Sequence, residues 1–392
     1  MKRLVSLVTV ALLVFGVLSF AFAQETVALK VWGTQEDQEL LGELIEQFKT
    51  QNPDTAWDIT LGVVGDADAK ARYLEDPAAA ADVFTFPDDQ LVDLVKADAL
   101  YEVTNNRDAI VAANAAGSIQ AASINGVLYG YPMTADNGYF LYYDKSVFTQ
   151  EDVQTLDGML AAANAAGKKV HMDVSNGWYI ASFFLGAGCK LDIDADGKQV
   201  CDFNNANGLA AAKAILALCS DPAFITGDDS VLQGNIGDTI SAGISGTWVA
   251  TAIKEKLGEN YGASKLPTFT LNGQQVQMGS FLGCKILGVN TQTQHPVEAM
   301  KLAEFLTSEQ SQIRRFEVRG YGPSNIQAAQ STGVQSNIAL AALAAQSQFA
   351  TSQHVLGAYW VPAEALGQQM EAKTADDLQG LLDALVAQVT AQ

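Results

Sequence analysis

The sequence predicts an α/β fold in two lobes joined by a hinge. Three observations carry this. The chain has 392 residues, too many for one ordinary core and suited to two domains. Its first third alternates strand-like and helix-like segments in the order β-α-β-α-β, an α/β signature. The stretch Asn125 to Lys145 then reads as two short strands with a polar break between them, the pattern of a chain stepping from one domain into another.

The elements follow in order. Met1-Lys2-Arg3 precedes an unbroken apolar run from Leu4 to Phe20, and Ala21-Phe22-Ala23 gives the small-x-small pattern of a cleavage site. Residues 1–23 are expected to be a cleaved signal peptide, with an uncleaved anchor as the lesser alternative. No second long apolar stretch follows, so the remaining chain is not expected to span a membrane. Thr26 to Trp32 alternates, placing Val27, Leu29 and Val31 on one face of a strand. Leu40, Leu41, Leu44, Ile45 and Phe48 recur at helical spacing, with acids near the helix start and Asn52-Pro53 at its end. Ile59 to Val64 is a second strand, Lys70 to Glu75 a short helix, and Ala81 to Phe86 a third strand closed by Pro87-Asp88-Asp89. In open α/β sheets ligands sit beyond the carboxyl ends of strands. Here those ends carry Gly33-Thr34-Gln35-Glu36 and Phe86-Pro87-Asp88-Asp89.

Asn125-Gly126 marks a tight turn, Val127 to Tyr131 an extended run, and Pro132 a strand end or edge. Tyr139 to Tyr143 begins the second lobe. Helices over Val153 to Ala166 and Asn207 to Leu218, a hairpin around Asp196-Gly197, and a strand, turn and helix start over Ile240 to Trp248 follow. Ile286 to Asn290 reads as a strand able to recross to the first lobe. The expected division is residues 24–134 with 287–332 for lobe one, and 135–286 with 333–392 for lobe two.

The formal charge of −21 disfavours nucleic acid and anionic lipid as partners and favours solubility. Four cysteines in an exported chain invite disulfides, and Cys189 with Cys201, flanking the hairpin, are expected to form one. For Cys219 and Cys284 both a second pairing and two buried thiols stay open. The search for catalytic motifs is mostly negative. His171, His295 and His354 are scattered without metal-ligand spacing, and C-x-x-C, G-x-S-x-G, P-loop and G-x-G-x-x-G patterns are absent. Asp192-x-Asp194-x-Asp196-Gly197 matches the first half of a calcium loop, but the twelfth position is Phe203, so it reads as a hairpin tip. No cofactor or metal is expected.

The positive signal is aromatics beside carboxylates at element ends. Trp32, Phe86, Trp178, Trp248 and Trp360 sit there, as do Glu36, Asp88, Asp89 and Asp136. Flat aromatic faces stack on the apolar faces of sugar rings, while acids bond the hydroxyl edges. A single tryptophan is more often core. Trp178, Trp248 and Trp360, however, follow Gly or polar residues at helix starts rather than standing in apolar stripes.

Five segments resemble the maltose/maltodextrin-binding members of the family 1 extracellular solute-binding proteins: Leu29-Lys-Val-Trp-Gly33, Ala81 to Gln90, Tyr129-Gly-Tyr-Pro132, Gly246-Thr-Trp248 with Leu266-Pro-Thr-Phe269, and Ala358-Tyr-Trp360. The hinge stretch is similar as well. The resemblance spans essentially the whole chain beyond the leader. It implies a type II two-lobe periplasmic-binding architecture with the ligand cleft between the lobes, and a periplasmic or extracellular location. It also implies a monomer that captures an oligosaccharide of the maltodextrin type by hinge closure and passes it to an ABC importer. Carried over by position, Phe86, Trp178, Trp248 and Trp360 would contact sugar rings, and Asp89 and Asp136 the hydroxyls; Glu36 and Asp88 at element ends, and Tyr359 beside Trp360, complete the expected ligand site. Two departures stand out: Glu36-Asp37 replaces the family's Asp-Lys pair, and Gln90 replaces its Arg. A binder of another solute, such as a different sugar or a polyamine neutralised by Asp88, Asp89 and Asp136, is the first alternative. A secreted glycoside hydrolase is the second, because carboxylates facing each other across a cleft are its working parts.

Overall fold

A computed structural model of the chain describes residues 26–391 apart from 195 and 354. The expected signal peptide lies outside the described residues, as do residues 24 and 25. The architecture is the expected two-lobe α/β one. The first sheet has the order Ala56–Val63, Thr26–Gly33, Val83–Pro87, Lys285–Val289, Tyr131–Pro132. Its first three strands are parallel, and the last two run antiparallel to their neighbours. The second sheet has the order Phe224–Ile225, Lys169–His171, Ile240–Ser245, Phe140–Asp144, Tyr261–Ser264.

Local sequence explains the first sheet well. Val27, Leu29 and Val31 are buried while their neighbours are more exposed, as their alternation requires. Helix Gln38–Gln51 buries Leu40, Leu41, Leu44, Ile45 and Phe48, the periodic set read from the sequence. Val83–Pro87 lies in the middle of the sheet with both faces covered, so four residues in succession are buried and no alternation shows.

A three-stranded ribbon joins the lobes, in the order Ala350–Ser352, Ser280–Gly283, Asn137–Gly138. The chain runs from Tyr131–Pro132 in the first sheet through Asn137–Gly138 to Phe140–Asp144 in the second, and returns through Ser280–Gly283 into Lys285–Val289. Gly283 lies in this ribbon, and a Cβ there would come 2.1 Å from Asp88 Oδ1. Apolar burial is divided accordingly. One core draws on residues between Val27 and Tyr131 and between Cys284 and Leu306. Buried apolar side chains between Tyr139 and Phe281 and from Ala339 onward form two clusters of the second lobe.

Two expectations are corrected here. Cys189 and Cys201 form no disulfide; all four cysteines are free and buried. The hairpin register places Leu191, not Cys189, opposite Cys201, and the Cys189 thiol instead faces Asn205 Oδ1 at 3.7 Å. Burial pushes the two thiols up to about 12 and about 11. Cys219 and Cys284 belong to different cores, which leaves them as two buried thiols. The second correction is Phe86. It is 0 % exposed and packs against Phe84 with ring centres 5.6 Å apart, so its ring belongs to the first core and presents no face to a ligand. Phe86→Ala is expected to lower the unfolding free energy by about 3–5 kcal/mol, measured by denaturant titration. A loss below about 1 kcal/mol would mean that the ring is not packed as described.

Candidate functional site

Three tryptophans open helical segments on the second lobe. Trp178 is the second residue of helix Gly177–Gly186, Trp248 lies in the single turn Thr247–Val249, and Trp360 begins helix Trp360–Glu371. A side chain in a first turn is not forced into the helix's own packing stripe, and all three are only partly buried. Asn176 caps the first of these helices by accepting the Trp178 N–H at 2.9 Å, which fixes where that indole leaves the backbone.

Trp178 and Trp248 form a continuous aromatic surface. Their ring centres are 5.7 Å apart, with Tyr139 at 4.5 Å and Tyr179 at 5.2 Å from Trp178. Trp248 folds back over Gly246, where a Cβ would collide with the indole at 2.1 Å. Its Nε1–H donates to Asp229 Oδ2 at 2.7 Å, and the Ser245 hydroxyl donates to Asp229 Oδ1 at 2.7 Å. Burial raises the Asp229 carboxyl above its usual range, and those two donors oppose the shift. The indole is therefore held by its nitrogen and stays partly exposed.

The first lobe contributes charge. Lys285, 7 % exposed, leaves strand Lys285–Val289 and pairs with Asp66 Oδ2 at 2.8 Å. Its ammonium lies over the Tyr321 ring at 4.7 Å and over the Trp248 ring, across from the other lobe, at 5.7 Å. Burial disfavours this charge, but Asp66, with Tyr321 and Asp37 behind it, outweighs burial and holds the lysine protonated well above its usual range. Arg319 pairs with Asp37 at 2.8 Å and stacks on the same Tyr321 ring.

Asp88 and Asp89 begin the turn after strand Val83–Pro87. Asp88 Oδ1 accepts the Cys284 N–H at 3.1 Å, beside the ribbon. Burial and the neighbouring Asp89 push its carboxyl well above the usual range. Burial likewise raises Asp89, to about 7, against the pull of Lys70. Asp89 Oδ1 is buried without a hydrogen-bond partner among the described residues. Gln353 lies close enough to favour the ionised form of Asp89, and its Oε1 accepts the Trp178 indole N–H at 2.9 Å. Gln353 thus stands near both the first-lobe acid and the second-lobe aromatic surface.

The other expected site residues are placed differently. Asp136 is 2 % exposed, and its Oδ2 accepts both the Thr247 hydroxyl and the Gly322 N–H at 2.6 Å, so it ties the hinge together instead of reaching for a ligand. Tyr359 is fully buried with its hydroxyl donating to the Gly177 carbonyl at 2.8 Å, so it is a core residue. Glu36 is exposed on the turn Gln35–Asp37. Trp360 packs edge-on against Tyr359 at 5.1 Å and Phe281 at 6.5 Å, with no ring contact to Trp178 or Trp248. Gln90, in place of the family's Arg, turns inward and caps Lys70 N–H, with its own amide on the Asp66 and Ala67 carbonyls. At the hairpin tip Asp194 Oδ1 accepts the backbone N–H groups of Asp196 and Lys198, the work of a turn former. No cluster of metal ligands occurs among the described residues.

Sequence reasoning missed Lys285, Asp229, Gln353 and Tyr139. Lys285 carried a usable signal, a lone cation inside the apolar run Phe281 to Val289. Asp229 and Gln353 stand in ordinary polar segments and carried none.

The model of the bacterial extracellular solute-binding protein family matches residues 43–342. A solved structure determined with acarbose is 30% identical, with a TM-score of 0.86, covering 94% of this chain and 99% of its own. The maltodextrin binding protein MalE1 from L. casei BL23, without ligand, is 25% identical with a TM-score of 0.77, covering 93% and 99%. The Thermus thermophilus maltotriose binding protein, bound with maltotriose, shares the fold at 19% identity and a TM-score of 0.78, covering 93% and 99%. No curated protein sequence matches.

Asp89 gives this site a pH signature. An acid whose pKa is raised in the fold ionises less readily there than in the unfolded chain. Its contribution is therefore intact below the ordinary carboxylate value of about 4 and is lost as the pH climbs to about 7. Asp89→Asn removes that loss. Its melting temperature, relative to the parent's, is expected to rise between these two pH values and then level off; a constant difference would mean that Asp89 is ionised throughout.

Proposed function

The chain belongs to the bacterial extracellular solute-binding protein family, and we propose that it captures a maltodextrin-like oligosaccharide for delivery to an ABC importer. The observation that carries this reading is the partly open Trp178–Trp248 surface, fixed at its polar edge by Asp229 and faced by Lys285 of the other lobe. Such a surface offers flat apolar area to sugar rings, with hydroxyl partners at its margins. The relatives described with acarbose and as a maltodextrin binder point to the same ligand class.

In this reading the ligand lies between the lobes, residues 24–134 with 287–332 on one side and 135–286 with 333–392 on the other, except that Cys284 to Ile286 go with the first side, whose sheet and core they join. They close about the crossing over residues 131–139. Ligand favours the closed state because it gains contacts from both lobes only there. Residues 1–23 act as a cleaved signal peptide and deliver the chain to the periplasm or the cell exterior. No bond is broken: the Asp229 oxygens are engaged by Trp248 and Ser245, and Asp88 and Asp89 share one turn. A polyamine is the weaker ligand, since a cation already lies over Trp248.

Titration calorimetry with maltotriose, acarbose and spermidine tests ligand class directly. Trp248→Ala and Trp178→Ala are expected to weaken maltotriose binding by about 2 kcal/mol each, roughly thirty-fold. Intrinsic fluorescence should respond to ligand in the parent and respond less in each variant. Parent affinity with a large fall in melting temperature would make these indoles core residues. Release of reducing ends from maltodextrins would replace the binding reading with a hydrolase.

A further inference from the structure

Lys285 does more than neutralise Asp66. Four chain segments distant in sequence converge on its ammonium. Asp66 comes from the turn Asp66–Asp68, Tyr321 from the loop after helix Glu309–Arg319, Trp248 from the second lobe, and the lysine itself from strand Lys285–Val289. A carboxylate at 2.8 Å with two aromatic rings at 4.7 and 5.7 Å is the chemistry that recognises an ammonium group. The aromatic ring faces attract a cation, and the carboxylate completes the charge. The floor holds three acids, Asp37, Asp66 and Asp136, against three bases, Arg315, Arg319 and Lys285. Without the lysine it would carry unmatched negative charge beside two aromatic rings, within a chain whose formal charge is already −21.

We propose that Asp66, Tyr321 and Trp248 form an ammonium cage whose occupant is the chain's own Lys285, and that by filling it the lysine reserves the cleft for uncharged ligands and excludes cationic ones. The side chain is tethered, so it occupies the cage at a high effective concentration that a free amine in solution must compete against. Lys285 is thus a specificity-determining residue, and the selectivity it confers is achieved by occupying a position rather than by contacting the preferred ligand. The selectivity half of this inference rests on the sugar-site reading above. The cage itself does not, because it is tested without sugar.

Lys285→Ala empties the cage. Its melting temperature should fall, and n-propylammonium chloride at tens of millimolar should restore part of the loss. Potassium chloride at the same ionic strength should restore none, and the parent should not respond to the amine. Spermidine should bind Lys285→Ala about tenfold or more tighter than it binds the parent. The double variant Lys285→Met with Asp66→Asn removes the charge pair together and should show no response to the amine. If Lys285→Ala is insoluble alone, the same contrast is read as recovery of soluble, folded protein when it is prepared with propylammonium instead of potassium. The inference is overturned if the amine has no effect in either assay, if potassium matches it, or if the double variant responds like the single one. A parent that binds no maltotriose overturns the function reading and leaves the amine assay standing.

Discussion

The Asp136 carboxylate is the point on which the two lobes depend. One of its oxygens accepts the Gly322 N–H and the Thr247 hydroxyl, both at 2.6 Å, in a position that is almost wholly buried. Charge-assisted bonds of this kind are roughly twice as strong as neutral ones and lose little to water. Gly322 lies in the loop after helix Glu309–Arg319, and Thr247 immediately precedes the Trp248 platform. A single side chain in the crossing therefore sets the position of the aromatic surface relative to the first lobe. The lysine contact and the placement of Asp88 against the ribbon both presuppose that spacing.

Around this tie the cleft is built from charge held in place rather than charge on display. The acids and bases of its floor are paired or buried: burial first raises Asp88 and Asp89, whereas Lys285 is held protonated against burial by Asp66. This suits recognition of neutral hydroxylated rings. Fixed dipoles and paired ions offer hydrogen bonds without presenting a bare charge that attracts salt or unrelated ions.

The fold was largely legible because its signals are local. The alternation of Val27, Leu29 and Val31 and the 3.6-residue recurrence from Leu40 to Phe48 follow from backbone geometry alone. The site was legible only where a residue's type and its place at an element end agreed, as for Trp178 and Trp248. Phe86 failed that test because a central strand is buried on both faces, so its last aromatic faces the core as readily as the cleft. Tyr359 failed for the neighbouring reason: it precedes Trp360 by one residue, about 100° around the same helix start, and so points inward. Asp136 was found for its position, but its hydrogen bonds go to residues more than a hundred positions away, which no local pattern records. The cysteine pairing failed because the hairpin register sets Cys201 opposite Leu191, two residues past Cys189, which no local pattern records.

The order of strands in the first sheet bears on how the chain acquires its structure. Lys285–Val289 lies between Val83–Pro87 and Tyr131–Pro132, yet it is synthesised only after all five of the second sheet's strands. The second lobe in turn waits for its own C-terminal helices, whose Leu382, Leu385 and Val389 fill its core. Neither core can be completed by an emerging N-terminal portion, so unpaired strand edges stay exposed until most of the chain is available. Native contacts are dominated by long sequence separation, which slows folding and lengthens the interval in which the chain can be threaded, bound by chaperones or lost to aggregation.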